Sequence, residues 1–362
     1  MAADMALTAR DDSGSAPIGA ARLLADAAYA AREADARVSA ALVDLFVAER
    51  HRPNDRQRYG MARMLDALIE DLEGDLRIGL IERLGDAAPP AIGVARVAIV
   101  RPIFDRAGVL RDRDLVALLL ARAEEHRIAE GIRRIAEADP EPSRPAPLPV
   151  SAELEMPFLI AASRRSDGAG EPTLSGRDLP VDLLHRLTWW VAAALRDYLD
   201  RAEPLAGAVR DDALAAAVVE RLARHDESQT LEGAAMRVAM ASPADDDSLF
   251  EAFRSGHFSL FVATLAVRAR VDYASAFVMA TDPSIGALAV ALRAIDAATE
   301  VAASILLQMA AINGLSEAKL EERVNDYLDL ELDQAREAVR PWRLDRAFRS
   351  AIADIGRERR AR

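Results

Sequence analysis

The sequence predicts an all-α protein, and three observations carry that expectation. Alanine, leucine and arginine dominate while aromatics make up only 5%, so helix propensity is favoured nearly everywhere. β-branched runs with period-two alternation, the mark of half-buried strands, are hard to find. Apolar residues recur instead at the three- and four-residue spacing that lines one helix face. The expected architecture is two helical-repeat domains flanking a central helical hairpin.

Taken in order, residues 1–18 mix Asp, Ser, Gly and Pro with small residues and read as a loose tail. Residues 19–138 read as an N-terminal helical domain. Its first helices are Ala20–Ala34, Asp35–Ala48 and, after the Pro53-Asn54 break, Asp55–Glu73. Three similar pieces come next, Asp75–Gly85, Ala95–Gly108 and Glu125–Ala138, each an Arg followed by apolar residues at helical spacing. Breakers at Pro89-Pro90 and a short helix Arg111–Ala123 separate them, a pattern that suits stacked helix pairs. Pro102 is expected to kink or shorten the second piece.

Residues 139–179 form a Pro/Gly-rich linker containing a short helix, Ala152–Ser163. The stretch DPEPSRPAPLP has five prolines in eleven residues and no apolar period. Ser175 and Asp178 stand ready to cap the next helix, and Pro180 suits a first helical position. Residues 180–226 then read as a helical hairpin of Val181–Arg201 and Ala208–Arg224, open to dimerisation as a four-helix bundle or to packing on the flanking domains.

A second helical domain spans 227–355, with helices Leu231–Met240, Ser248–Arg254, Phe258–Ala269, Tyr273–Ala280, Ser284–Arg293, Ala297–Asn313, Glu317–Asp329 and Glu331–Ile352. Gly256, Gly286 and Gly314 mark turns or helix ends. Residues 356–362, GRERRAR, read as a basic tail.

Composition excludes several function classes. The formal charge of −13 argues against a nucleic-acid partner, whose phosphates call for clustered cations. The single lysine, Lys319, removes most Schiff-base and Walker-type chemistry, and the absence of cysteine removes thiolate catalysis and Cys-ligated zinc. No uninterrupted apolar stretch approaches the ~18 residues of a membrane span, and no leader pattern opens the chain, so a cytoplasmic protein is expected. No P-loop, G-x-G-x-x-G or G-x-S-x-G occurs, so no cofactor is expected. His51, His126, His225 and His257 share no metal-ligand spacing, and Asp245-Asp246-Asp247 reads as a helix cap.

One helix is anomalous. Along VDLLHRLTWWVAAALRDYLDR, Leu183, Leu184, Leu187, Trp190, Val191 and Leu195 share a broad apolar face, while His185, Thr188, Trp189 and Arg196 share the opposite one. An imidazole and an indole on a polar face make His185, Thr188, Trp189 and Arg196 the candidate partner-binding residues. His185 is also a candidate phospho-acceptor, which requires an exposed ring with a free nitrogen.

Several segments carry a family resemblance: LVDLF, DLRIGLIERL, RVAIVRPIFDRAGVLRDRDLVALLLARAEEHRIA and LFEAFRSGHFSLFVATLAVRARVDYASAFVMATDPSIGALAVALRAI. Across Gly19–Ala138 and Leu231–Trp342 the chain resembles the DUF2336 family, an uncharacterised alphaproteobacterial group whose N-terminal part is similar to HEAT-like repeats. That resemblance implies HEAT-like flanking domains and brings no catalytic residues. His185-Arg186 resembles, more distantly, the H-R box of sensor-kinase phosphotransfer helices, although Trp189 and Trp190 replace the Asn that normally comes after it.

Two functional expectations result. The first is a non-catalytic cytoplasmic protein-interaction scaffold in bacterial signalling, homodimeric, with a protein partner such as a response regulator. The second is a histidine phosphotransfer protein, or a regulator-docking mimic, using His185 on a dimeric hairpin.

Overall fold

The computed structural model describes residues 19, 22–23, 55–93, 98–138, 150–202, 207–345, 347–349, 351–352 and 355. The expected tail 1–18, the helices Ala20–Ala34 and Asp35–Ala48 apart from isolated residues, His51, most of the Pro-rich linker and the tail 356–362 lie outside the described residues. The described chain folds into fifteen α-helices with one isolated antiparallel bridge, Ser166 to Pro172, and it is all-α.

The first long helix, α1 (Asp55–Leu84), continues straight through Gly74, where the sequence suggested a boundary. A glycine costs a helix interior about 1 kcal/mol, but Leu72, Leu76 and Leu80 carry one buried stripe across it, and that packing outweighs the local cost. α2 (Pro90–Gly93) is a single turn.

α3 (Val100–Ala107) begins just before Pro102, which therefore sits in the first turn, where its missing N–H breaks no helical bond. No side chain of its own caps α3. The buried Glu73 carboxylate on α1 does so instead, accepting the backbone N–H groups of Ile99 and Val100 at 3.1 Å each while pairing with Arg77. α4 (Arg113–Glu137) is capped by Asp112, whose carboxylate accepts the Leu115 N–H at 2.9 Å. It too is continuous, so the expected break near Glu125 is absent. The three sequence pieces thus take unlike forms: the second halves of α1 and α4, and the short α3.

After α5 (Ala152–Ser163), Ser175 and Asp178 form a capping box around the turn 176–178. The hairpin comes next as α6 (Val181–Ala202) and α7 (Gly207–Ala223). The remaining helices are α8 (Leu231–Ala241), α9 (Asp246–Arg254), α10 (Phe258–Ala269), α11 (Tyr273–Ala280), α12 (Gly286–Ala294), α13 (Thr299–Asn313), α14 (Glu317–Asp329) and α15 (Leu332–Val339). The expected helix Glu331–Ile352 is broken by the 3-10 turn Arg340–Arg343, because Pro341 can neither donate a helical bond nor clear the preceding carbonyl. Gly256 and Gly314 adopt φ of 76° and 67° as turn residues. At the third marked glycine the left-handed residue is the preceding Ile285, with φ of 56°.

The buried apolar side chains form two clusters. One joins α1, α3, the first half of α4 and the α6–α7 hairpin, through Leu68, Leu76, Phe104, Leu119, Leu187, Val191 and Val218. The other joins Leu23, the second half of α4, α5 and α8 to α15, around Phe158, Phe261 and Leu288. The hairpin's apolar stripe is therefore covered within the chain, chiefly by α1 and α3. α4 belongs to both clusters and locks onto α13. Gly131 there leaves no room for a side chain beside Ile312, and Arg127 donates to Ile312 O at 2.9 Å and Asn313 Oδ1 at 2.7 Å.

Candidate functional site

Two places present functional groups outside ordinary packing: the outward side of the hairpin and a polar cavity where the two clusters meet. The sequence points to the hairpin. α6 buries Leu183, Leu184, Leu187, Val191, Leu195 and Leu199, and this leaves Val181, His185 and Trp189, four residues apart, in one exposed row. Trp189 is 38% exposed and Val181 49%.

The row is not the face the helical period suggested. Thr188 is fully buried, and its hydroxyl donates to Leu184 O at 2.7 Å, bonding back into its own helix. Ala192 is buried too. The apolar face is wider than expected because α1, α3 and α7 enclose α6 from several directions, so Thr188 does not belong to a partner surface. Arg196 is exposed but occupied: it makes a two-point bond to Asp211 on α7, at 3.0 and 3.2 Å, and a third to Asp200 at 3.3 Å. It fastens the hairpin and has little capacity left for a partner.

His185 and Trp189 form a unit. The indole Nε1–H donates to His185 Nε2 at 3.2 Å, with ring centroids 6.3 Å apart in an edge arrangement. That bond requires a lone pair on Nε2, so the neutral imidazole carries its proton on Nδ1. A phosphoryl group attached at Nε2 would have to displace the indole. The neighbouring Arg186 turns away to Asp112 and Asp114, at 3.1 and 2.7 Å, tying α6 to the start of α4.

The cavity was not legible beforehand. It measures about 170 Å³ and lies between α4, α5, the loop after α5 and the start of α10. At its wall is a buried charge cluster assembled from distant parts of the chain. Glu232 of α8 accepts from Arg165 at 2.9 and 3.0 Å and pairs with Arg122 of α4, which also donates to Glu125 at 2.7 Å. Burial works against the Arg122 charge, yet Glu232 and Glu125 raise its pKa further above the ordinary arginine range. Burial likewise opposes the Glu232 carboxylate, but Arg122 and Arg165 hold its pKa below the usual value. Beside them burial, with Glu125 and Glu232, keeps the Tyr273 phenol protonated well above its usual range.

His126 and His257 also line this cavity, and burial pushes both below the usual histidine value. His257 Nδ1 lies 3.1 Å from Ser255 Oγ, and its ring packs edge-on to Phe158 at 5.5 Å. Arg122 and Glu125 at i,i+3 inside an apolar stripe are the one sequence signal that could have pointed here. Arg165 and Glu232 are far apart in the chain and meet only through the fold.

The remaining candidates have structural roles. Asp245 caps α9 through the Ser248 N–H at 2.9 Å, and Asp246 bridges Arg268 at 2.6 Å to the Ala298 N–H at 2.7 Å. The triple aspartate supplies the expected cap, and Asp246 adds a strut that the sequence did not suggest. Among the described residues no group of three or more His, Asp or Glu side chains is placed to hold a metal ion, and no helix is long and apolar enough to cross a membrane.

A family model described as an uncharacterised protein conserved in bacteria, DUF2336, matches residues 152–340. The matched stretch is just over half of the chain and runs from α5 to the 3-10 turn after α15, so it includes the hairpin and leaves out α1 to α4. No curated protein and no solved structure gives a match.

Proposed function

The chain belongs to the DUF2336 family, and we propose that it serves as a cytoplasmic protein-interaction scaffold in bacterial signalling, docking a partner protein on the outer side of the α6–α7 hairpin. One observation carries this reading. Trp189 stands exposed with its N–H already satisfied by His185, so it offers an apolar ring that can enter a partner's pocket with no donor left to desolvate. The hairpin beneath is held rigid by Arg196 and by its packing on α1, so little conformational freedom is lost on docking. The partner is a protein with an apolar cleft for the indole. Self-association would use the same outer side, since the inner stripe is already covered within one chain.

Replacing Trp189 by Ala tests this. A buried aromatic anchor is worth about 2 kcal/mol or more, roughly a thirtyfold loss of affinity. Partner capture and light-scattering mass are to be compared between wild type and Trp189→Ala at matched helical circular dichroism. Undiminished capture by the variant, or a monomer that captures nothing, sinks the scaffold reading.

Phosphotransfer is the second reading, and the exposure of His185 on a two-helix hairpin supports it. A response regulator phosphorylated on aspartate, mixed with wild type or His185→Ala, separates the two readings. Equal dephosphorylation by both proteins removes the chemistry and leaves docking.

A further inference from the structure

We infer that the cavity between α4, α5 and the start of α10 is a binding site for a small organic carboxylate about the size of one aromatic ring. The size comes from the space itself. About 170 Å³ is close to the roughly 150 Å³ that a benzene-binding cavity offers.

The charge comes from the wall. Three arginines line the cavity, Arg122, Arg133 and Arg165, against a single acid, Glu125. Glu232, outside the lining, is shared between Arg122 and Arg165. Two carboxylates thus face three guanidinium groups on the wall itself. Of the other acids nearby, Glu130 pairs with Arg56 at 2.8 Å and Asp167 with Arg63 at 2.8 Å, while Glu171, between the lining residues Gly170 and Pro172, acts on His126. Arg133 sits exposed on α4 as part of the lining, with no ion pair among the described residues.

Hydrogen bonding points the same way. Arg165 meets Glu232 through Nη2 alone, and its Nε and Nη1 are buried with no acceptor, as is Nε of Arg122. Buried donors of a charged group are costly to leave unpaired, and a carboxylate oxygen is a charge-assisted acceptor for such an N–H. Burial favours the neutral form of both histidines, and the arginines are the cationic groups of the wall.

The rest of the wall is mixed, with Ser166, Thr173 and Ser259 beside an apolar part. Phe158, Phe258, Met64 and Leu231 face the same space, which suits a hydrocarbon body and disfavours a bare inorganic anion that needs hydration all round. A metal cation is repelled by this lining, and a nucleic acid does not fit the volume. The site is also built from both sides of the family match, with α4 outside residues 152–340 and α5, α8 and α10 inside. A ligand there would bear on the one helix that joins the two clusters.

The test is calorimetric titration of the full chain with benzoate, its neutral isostere benzamide, and inorganic phosphate. Benzoate is expected to bind saturably with one site, and benzamide about tenfold or more weakly, because only the carboxylate meets the guanidinium groups. Arg165→Gln should weaken benzoate about tenfold and Arg133→Gln about threefold, in proportion to their burial. Because Arg165 also holds Glu232, its variant is at risk of unfolding. Ala129→Leu, which fills the cavity without touching a charge, should abolish benzoate binding while leaving the melting temperature within a few degrees. The inference is overturned by no saturable benzoate binding, by benzamide binding equally well, by phosphate binding in place of benzoate, or by unchanged benzoate affinity in folded Ala129→Leu. None of these outcomes depends on whether Trp189 docks a partner.

Discussion

The two halves of the molecule bury apolar surface in opposite ways. Around α1 and the hairpin, long helices each commit one broad face, and their other sides carry arginine–carboxylate pairs such as Arg196 with Asp200 at 3.3 Å. In the C-terminal cluster two central short helices are enclosed on every side: ten of the twelve residues of α10 and eight of the nine of α12 are buried. A helix that is apolar all round is stable only when surrounded, so those short helices depend on one another, whereas each long helix gains a turn's worth of burial per heptad. Their turns are correspondingly constrained. Arg270, Ile285 and Asp296 all adopt positive φ, and all lie in the C-terminal half. For a buried β-branched Ile285 that conformation is costly. Asp282 holds it, accepting from the N–H groups of Ser284 and Ala287 at 3.0 and 2.8 Å.

The largest expected effect tests that contrast directly. Phe261→Ala removes a fully buried ring from α10 at the middle of the enclosed cluster and should cost about 3–5 kcal/mol. Leu76→Ala on α1, equally buried, should cost about 2–4 kcal/mol, since a one-sided helix can relax toward solvent. Urea unfolding measures both. If Leu76→Ala proves the more damaging, the distinction between enclosed and one-sided burial fails.

Next in size is the charge cluster that joins the halves. Glu232→Ala leaves Arg122 and Arg165 buried without their shared carboxylate, and should cost about 2–3 kcal/mol once solvent access to the half-buried Glu232 is allowed for. The same urea experiment should show both halves losing stability together, because Arg122 lies on α4. A loss confined to one of two separable transitions would mean that α4 does not couple them.

The caps should act alike in both halves. Asp112→Ala and Asp272→Ala each remove a side-chain bond to a helix N-terminus, at 2.9 and 2.6 Å, together with one arginine pair, to Arg186 and Arg349, for about 1–2 kcal/mol each. Thermal melting of the two variants is the check, and a difference of more than about 1 kcal/mol would show that context outweighs the cap.

The contrast also explains what could be read from the sequence. Helices Phe258–Ala269, Tyr273–Ala280 and Glu317–Asp329 were legible to the residue, because turn-forming residues such as Gly256, Asp272, Pro283 and Gly314 lie within a few positions of their ends. The long helices were cut too early at Gly74 and near Glu125. A glycine looks like a stop in isolation, and only the packing of Leu76 and Leu80 on the hairpin shows that it is not one. Thr188 was misplaced for a related reason: a helical wheel shows the angle of each residue but not how far around the helix its neighbours reach. Arg165 and Glu232 carried no local signal, since neither spacing nor composition links a loop to a helix sixty-seven residues later.

The smallest expected effect separates the junction from the hairpin by pH. Burial lowers His126 and His257, against the opposing influence of Glu130 and Glu171 on the first and Glu251 and Glu155 on the second. In the unfolded chain both return to about 6.5, so that chain takes up protons first as pH falls. Their contribution to stability is therefore complete above about pH 6.5 and is lost as pH drops from there through the lower folded values. The hairpin takes another course. Bonds from Arg210 and Arg196 depress Asp211, so its contribution is present above the ordinary aspartate value and disappears only as pH falls through the depressed one. Urea midpoints measured from pH 8 to pH 3 should decline in two stages. In the double variant His126→Gln, His257→Gln the upper stage should flatten and the lower stage persist; in Asp211→Asn the upper stage should persist and the lower one shrink only in part, because Glu220, Asp226 and other carboxylates are depressed too. An unchanged upper stage in the histidine variant would place the near-neutral titration elsewhere in the molecule and remove the neutral-histidine premise for the cavity.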